Sequence, residues 1–595
     1  MRFLDAIGDW IDDRTALRDS VREWLEFRSP GAGGWLAVFS AAVGTCVAVL
    51  ALTGVLLMMA YAPSPQSAWA SVHYLQFVQD HGWIVRGLHY WAAQTLVVLA
   101  AASLLFGALA ATYRAPREIA WWMTLLVFAL TLAEMITGGL LPWDQRGWWG
   151  RVVEANIIGL APVLGSYLSK TISGGAELGA FGLARAYTAH VLLLPIPLVL
   201  ALAVRSAIAR RSGWVESSMS RETMSTFELW ARGFLVMAIV VCALFTMTGF
   251  AHGAPLEAPA DPLSDYPARP EWFLMPLFRL RKFFHGPMEF WGTTQLPGLV
   301  ALYFVVLPWI DRRPFPHAIA VAPVVLVFAG AVTLGVMAAR HDARDPAFVK
   351  SSAKWDARAR AVQVLAMNGV PPDGILAMEH RDPELHGRDL FEAHCASCHV
   401  LEDMGDKEKA SASQLDGWGT VSWIDAMVHD PDAPAFFGRG PYKEQMPSVD
   451  VRPKKKTDEP WTAMAKNDDE RKAVAIFLAA QGAEPDDPPS PAPDAAALKI
   501  GEKIVSERCT TCHLYKGDGD DEGSGLAPEL AAYGSLAWTR AQIENPSSPK
   551  VYREKALDAD LKKHMPRFDK DLSPSDIDAV ARFVRVHARA HAGAM

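Results

Sequence analysis

Long apolar runs alternate with short polar stretches over roughly the first 340 residues, and there the pattern stops. Seven runs, at 35–60, 83–112, 119–141, 184–209, 229–250, 292–310 and 317–340, are long enough to cross a bilayer as helices. After the seventh the chain becomes rich in Asp, Lys, Pro and Ala. The pattern predicts an all-α protein, a membrane part followed by a water-facing part. Ahead of the first run, residues 1–34 place Phe3, Leu4, Ile7, Trp10 and Ile11 at helical spacing among charges. That spacing predicts a helix lying on membrane lipid, although a solvated helix has the same pattern. The segment has no apolar core of signal-peptide type.

Charge orients the crossings. Arg114 and Arg117, then Arg210, Arg211 and Arg221, then Arg312 and Arg313 fall in alternate loops, whereas 61–81 carries no Lys or Arg. The positive-inside rule places the N-terminus in the cytoplasm, and seven crossings bring residues beyond 340 out on the opposite face. A bacterial inner membrane with a periplasmic C-terminal part is the expected setting. The net charge of −8 is mild and gives no reason to expect nucleic acid.

Six cysteines change the picture of the water-facing part. Cys46 and Cys242 sit singly in apolar runs and read as buried small side chains. The other four form CASCH (Cys395, Cys398, His399) and CTTCH (Cys509, Cys512, His513). Two thiols three positions apart reach the two vinyl groups of one haem, and the adjoining histidine faces its iron. A zinc or dithiol site is the competing reading of one such motif. Two copies, each opening a domain-sized segment, predict two covalently attached c haems. The Pro- and Ala-rich run at 482–497 reads as a linker between two small helical domains, 384–481 and 498–595, with a connector at 341–383. Met446 in EQMPS and Met565 in KHMPR stand at similar distances from their motifs and are the expected second iron ligands, with Met404 and His564 as competitors. A thioether ligand raises the potential, which suits an electron acceptor.

In the membrane part, GWIVRGLH, RAPREIAWW, TGGLLPWDQRGWWG, ARAYTAHVLLLP and RPEWFLMPLFRLR follow one another in order. Together they resemble the cytochrome b subunit of quinol-oxidising cytochrome bc complexes, with wording closer to the chloroplast-type branch. The resemblance implies a four-helix haem-binding part (35–215) and a three-helix part (216–340) carrying a quinol-site motif. It implies His89 and His190 as the axial ligands of an outer haem b, Arg86 and Arg185 near its propionates, and Gly54 and Gly138 as the small residues facing it. Intramembrane histidines also occur as plain hydrogen-bonding groups, but are functional as a rule. RPEWF matches the family's quinol-pocket motif, with Pro270, Trp272 and Phe273 lining the pocket and Phe273 standing where a tyrosine is usual. Glu271 is then the base that accepts a proton from quinol, since desolvation raises a carboxyl pKa. The plainer role for Glu271 is an ion pair with Arg269 or Arg279. Trp143, with Asp144 and Gln145, is expected near the same pocket.

One part of the family pattern is broken. A second haem is normal about four helical turns deeper, which is about fourteen residues along each ligand-bearing helix. Those positions hold Ser103, and Val204 or Arg205; the matching glycine positions hold Ser40 and Thr124, with Ala41 and Gly44 nearby. The expected complement is one haem b, two haem c and quinol as substrate. The chain carries no Rieske-type Cys/His pairs, so a Rieske iron–sulfur protein is an expected partner. A soluble cytochrome c or terminal oxidase is the expected acceptor, and a homodimer is implied by the resemblance. Two readings compete with this quinol–cytochrome c reductase-type subunit. One is a non-catalytic membrane anchor for a dihaem electron carrier. The other is a membrane cytochrome linking quinones to a periplasmic reductase, with the acidic loop Asp518, Asp520, Asp521 and Glu522 attracting a basic partner.

Overall fold

A computed structural model describes residues 2–30, 35–161, 163–213, 223–312, 316–449, 465, 467–485, 492–518, 527–548, 550–552 and 565–590. It divides into two compact units, residues 1–376 and 377–595. The protein is almost entirely helical. Its only strands among the described residues are the short antiparallel pair Arg28–Pro30 and Thr223–Ser225.

Among the described residues, the first unit holds seven helices apolar and long enough to span a membrane: Phe39–Met58, Gly82–Leu109, Glu118–Leu140, Ala180–Ser212, Thr226–Phe250, Trp291–Ile310 and His317–Asp342. Numbered in that order as membrane helices 1 to 7, they match the seven predicted runs to within a few residues. Val43, Cys46 and Leu96 pack with Leu202 and Val240, joining helices 1, 2, 4 and 5. Leu104, Trp121, Phe304 and Val324 join helices 2, 3, 6 and 7. Helix 4 is not regular. Pro195 has no N–H to return to the carbonyl four residues back, and the ladder opens into a π turn at Ala189–Leu193, closed by Leu194 N–H donating to Ala189 O (2.9 Å).

Polar residues between the helices gather into two separate sets, as alternate crossing requires. On one side Asp311 accepts from Tyr113 (2.6 Å) and from both sides of the Arg114 fork (2.8 and 3.0 Å), with His317 Nδ1 2.7 Å away. Burial pushes the Asp311 carboxyl upward, but those hydrogen bonds outweigh it and hold the pKa at about 2. The strand pair lies among the loops of this same parity. On the other side Gln76 donates to His252 O (2.8 Å), Gln363 donates to Leu256 O (2.7 Å), and His73 Nε2 lies 2.9 Å from Gln363 O. The helix Pro346–Leu365 therefore packs against the loops between helices 1 and 2 and between helices 5 and 6.

The second unit contains helices Pro383–His394, Val421–His429, Asp468–Gln481, Ala495–Glu507, Leu536–Glu544 and Pro574–Ala590. The segments 384–481 and 498–595 do not pack around separate cores. One continuous cluster runs from Phe391 and Trp423 through Phe477 and Val505 to Phe583. The helices that lead into the two Cys-rich motifs exchange partners. Pro383–His394 crosses Pro574–Ala590, where a Cβ on Gly387 would stand 2.6 Å from both Ala579 O and Phe583 Cβ. Ala495–Glu507 crosses Asp468–Gln481, where a Cβ on Gly501 would stand 2.2 Å from Ala473 O. Glycine at each crossing is what lets the backbones approach so closely. The junction at Gly482 is fixed from the far end of the chain, since its carbonyl accepts from Arg585 and Arg589 (both 2.8 Å).

His587 fastens one of these crossings. Its Nε2 lies 2.6 Å from Glu384 Oε1 and its Nδ1 lies 2.6 Å from Glu402 Oε1. The hydrogen bond to Glu384 raises the His587 pKa above its ordinary 6.5, and the same bond lowers Glu384 below its ordinary 4.5. The histidine's contribution is complete below about pH 6.5 and is lost as pH rises through the elevated value; the glutamate's is lost as pH falls below about 4.5. Raising the pH of the full chain from 6 to 9 should lower the unfolding midpoint of this unit by about 2–4 °C, the shift expected for roughly 1 kcal/mol. Differential scanning fluorimetry of His587→Gln should show a shallower pH slope; the same slope as in the parent would remove His587 from the role.

Candidate haem and quinol sites

His89 on membrane helix 2 and His190 in the π turn of helix 4 face each other, with ring centroids 6.1 Å apart and ring planes at 72°. Each is oriented through Nδ1. Thr53 Oγ1 lies 2.9 Å from His89 Nδ1 and donates its own proton to Val49 O (2.6 Å), so it accepts from the imidazole. His190 Nδ1 lies 3.2 Å from Glu134 O and 3.4 Å from Thr137 Oγ1. With the proton held on Nδ1, each Nε2 keeps a lone pair for a metal. Two imidazole–iron bonds of about 2.0–2.1 Å each, as for other first-row metal–imidazole contacts, fit this ring spacing. Gly54 and Gly138 complete the cradle. A Cβ on Gly54 would stand 3.4 Å from His89 Cε1, and one on Gly138 only 2.6 Å from His190 Cε1. The residues present thus fit a bis-histidine haem.

The two arginines are placed differently from each other. Arg86 is buried and donates to Gln76 Oε1 (2.8 Å), Ala254 O (2.6 Å) and Pro255 O (2.6 Å), tying helix 2 to the loop after helix 5. Arg185 is exposed and donates to Thr171 O (2.7 Å).

Deeper in the bundle, Ser103, Thr124 and Arg205 line a cavity of about 40 Å³ together with Gly107, Arg117 and Trp121. Arg205 crosses from helix 4 to helix 1 and donates to Ser40 Oγ (3.0 Å), while the Ser103 and Thr124 hydroxyls turn back onto their own helices. Val204 is exposed. Among the described residues no imidazole, thiol or thioether lines this cavity.

Glu271 follows the buried Pro270 and lies against the end of helix 3, its Oε1 3.8 Å from where a Cβ on Gly139 would stand. Its side chain makes no ion pair or hydrogen bond among the described residues. Arg269 instead forms a two-pronged pair with Asp342 (2.8 and 3.0 Å). Burial raises the Glu271 pKa, Arg146 opposes the rise and Asp144 adds to it. Trp272 donates to Gln94 Oε1 and meets Phe273 edge to face at 5.9 Å. Trp143 is buried in left-handed backbone (φ 51°) beside Trp148, Leu183 and Ala260. Asp144 caps the next helix by accepting from Gly147 N (2.9 Å) and also accepts from Glu257 N (3.2 Å); Gln145 accepts from Ser264 (3.0 Å). Single-residue reading of the sequence did not single out Arg146, which pairs with Glu257, or Glu154, whose carboxyl burial pushes up to about 7 against Arg151. Glu154 sits on the helix that directly follows LPWDQ, which was the only available signal.

The two CxxCH motifs are built alike. His399 Nδ1 lies 2.9 Å from Ser413 O, and His513 Nδ1 lies 2.7 Å from Pro528 O. Burial lowers both histidine pKa values, keeping the rings neutral as an iron ligand must be. Cys395 and Cys398, and Cys509 and Cys512, precede them at the ends of the two exchanged helices. Met446 packs on the shared core; Met565 does so too, and its sulfur accepts from Gln542 (3.4 Å). Met404 is buried in the turn after His399, and His564 lies outside the described residues, as do Asp520, Asp521 and Glu522.

Comparison with known proteins agrees with this layout. The Cytochrome b/b6/petB family profile matches residues 32–213. The Cytochrome c profile matches 385–481, and that of cbb3-type cytochrome c oxidase subunit III matches 496–584. The menaquinol:cytochrome c reductase cytochrome b subunit of Geobacillus thermodenitrificans is 31% identical over 218 residues, covering 35% of this chain and 97% of that protein. Cytochrome b of Allochromatium vinosum is 27% identical over 340 residues, covering 51% of this chain and 80% of that protein. Cytochrome b6 of Auxenochlorella protothecoides is 27% identical over 210 residues, covering 35% and 98%. A solved structure titled hyperthermophilic respiratory Complex III shares the fold, with a TM-score of 0.50 at 23% identity, over 60% of this chain and 98% of its own. Such domains imply haem b in the membrane part and haem c in the C-terminal part. With its seven spans, facing histidine pair and two CxxCH motifs, the chain belongs to the cytochrome b/b6 family and carries two cytochrome c domains behind the membrane part.

Proposed function

We propose that the chain is the membrane subunit of a bc-type quinol:cytochrome c oxidoreductase. It oxidises quinol at the outer face with a separate Rieske iron–sulfur partner and delivers electrons by way of its cytochrome c part to a soluble cytochrome or terminal oxidase. The observation that carries this reading is a half-buried carboxyl, Glu271, without a cationic partner within ion-pair distance among the described residues, in the same unit as a facing histidine pair. A plain structural glutamate at that depth would be expected to hold an arginine, and the adjacent Arg269 is engaged by Asp342. The naming of the Geobacillus relative as a menaquinol:cytochrome c reductase subunit supports the same class of reaction.

In this reading Glu271, with its raised pKa, takes the proton from a quinol hydroxyl near neutral pH. Pro270, Trp272 and Phe273 give the pocket its apolar wall, and Trp143 holds the neighbouring loop. His89 and His190 hold the haem b iron, with Gly54 and Gly138 giving the macrocycle room. Cys395, Cys398, His399 and Met446 hold one haem c; Cys509, Cys512, His513 and Met565 hold the other. Haem at these places supplies one-electron redox chemistry. The loops bearing Arg114 and Asp311 face the cytoplasm of a bacterial inner membrane, as their positive charge requires.

The cavity at Ser103, Thr124 and Arg205, without an iron-ligating side chain among the described residues, supports one haem b per chain, so a complete relay across the membrane is not built from this chain alone. The same cavity also favours the second reading, a membrane anchor that turns over no quinol. The Glu271→Gln variant separates the two. Quinol-dependent reduction of the c haems should slow by about 10²-fold or more at unchanged haem content, the usual contribution of a general base. In the parent the rate should rise with pH through the elevated Glu271 pKa, because only the ionised form accepts the proton. Undiminished reduction in the variant would eliminate Glu271 as the base. Pyridine haemochrome spectra of the purified full chain should give one b for every two c haems; a ratio of two to two would refute the single-haem reading.

A further inference from the structure

Membrane helix 3 carries a carboxylate inside its span, Glu134, one turn before Gly138. Acidic residues within a membrane helix are costly and face a functional partner as a rule. Here Glu134 Oε2 lies 2.8 Å from His190 Nδ1, with side chains 15% and 20% exposed, and makes no hydrogen bond among the described residues. The opposite histidine is treated differently: among the described residues His89 Nδ1 meets the neutral Thr53 hydroxyl at 2.9 Å and no carboxylate. The pair is therefore unequal, with a carboxylate behind one ring and a neutral acceptor behind the other.

We propose that Glu134 is a positioning residue for His190 that lowers the reduction potential of an iron held between His89 and His190. The inference rests on reading these histidines as iron ligands. A carboxylate beside Nδ1 favours the tautomer that keeps its proton there and makes the imidazole a stronger electron donor through Nε2. Stronger donation favours the ferric state, which carries one more positive charge than the ferrous state formed by uptake of one electron. Negative charge nearby acts in the same direction, and the apolar surroundings screen it poorly. Neither the LPWDQ loop nor Glu271 is needed for the effect.

Redox titration of the b-type absorbance in the full chain, at one fixed pH, tests the idea. Glu134→Gln should favour reduction tenfold, a rise of about 59 mV for one electron. Thr53→Val, which changes the neutral side, should move the midpoint by less. Retention of the b spectrum with an unchanged midpoint in Glu134→Gln would overturn the proposal. Should Glu134→Gln fail to assemble, Glu134→Asp retains the charge but withdraws it by one methylene. A raised midpoint there supports the proposal, and an unchanged one overturns it. Failure of the ligand assignment itself is seen separately, as a b spectrum that survives His190→Ala.

Discussion

The first unit depends on how closely helices 1 and 3 approach the histidine pair. Gly54 and Gly138 present only hydrogen toward His89 and His190, and a side chain on Gly138 would overlap the His190 ring. Everything else about the pair follows from that approach. Thr53 and Thr137 each sit beside the glycine of their own helix, so the close packing that admits the rings also brings the acceptors that orient them. The π turn at Ala189–Leu193, opened by Pro195, sets the facing of His190. In a bilayer interior no water can replace a missing partner, so such polar contacts must be met within the bundle.

At the ends of the bundle, buried charges tie the helices to their loops beside the apolar clusters there. Arg86 ties helix 2 to the loop after helix 5, and Asp144 receives a backbone N–H from the same loop. Asp311 gathers Tyr113, Arg114 and His317 on the other side. Because the outer network spends Arg146 on Glu257 and Arg269 on Asp342, Glu271 is left with its elevated pKa.

The second unit solves a different problem. Two segments of roughly a hundred residues each share one apolar core. Exchanging the helices that precede the CxxCH motifs merges them into one core, with Gly387 and Gly501 permitting the crossings. The two motifs are then carried by one compact unit.

The sequence by itself determined the number and order of the membrane crossings, because apolar length is a local property and the bilayer reads it locally. It also determined the two CxxCH motifs and the placement of His89, His190 and Glu271 in ordered wording, since these are short-range patterns. What it could not determine were relations between residues far apart in the chain. Glu134 is one acidic residue in an apolar run, and only packing sets it against His190, 56 positions later. Arg269 stood two residues from Glu271, yet its partner proved to be Asp342 on helix 7. The exchange of opening helices was equally hidden, because both helices have the same amphipathic pattern and either closing helix can cover it. Periodicity states that a face must be buried; only the tertiary structure decides against what.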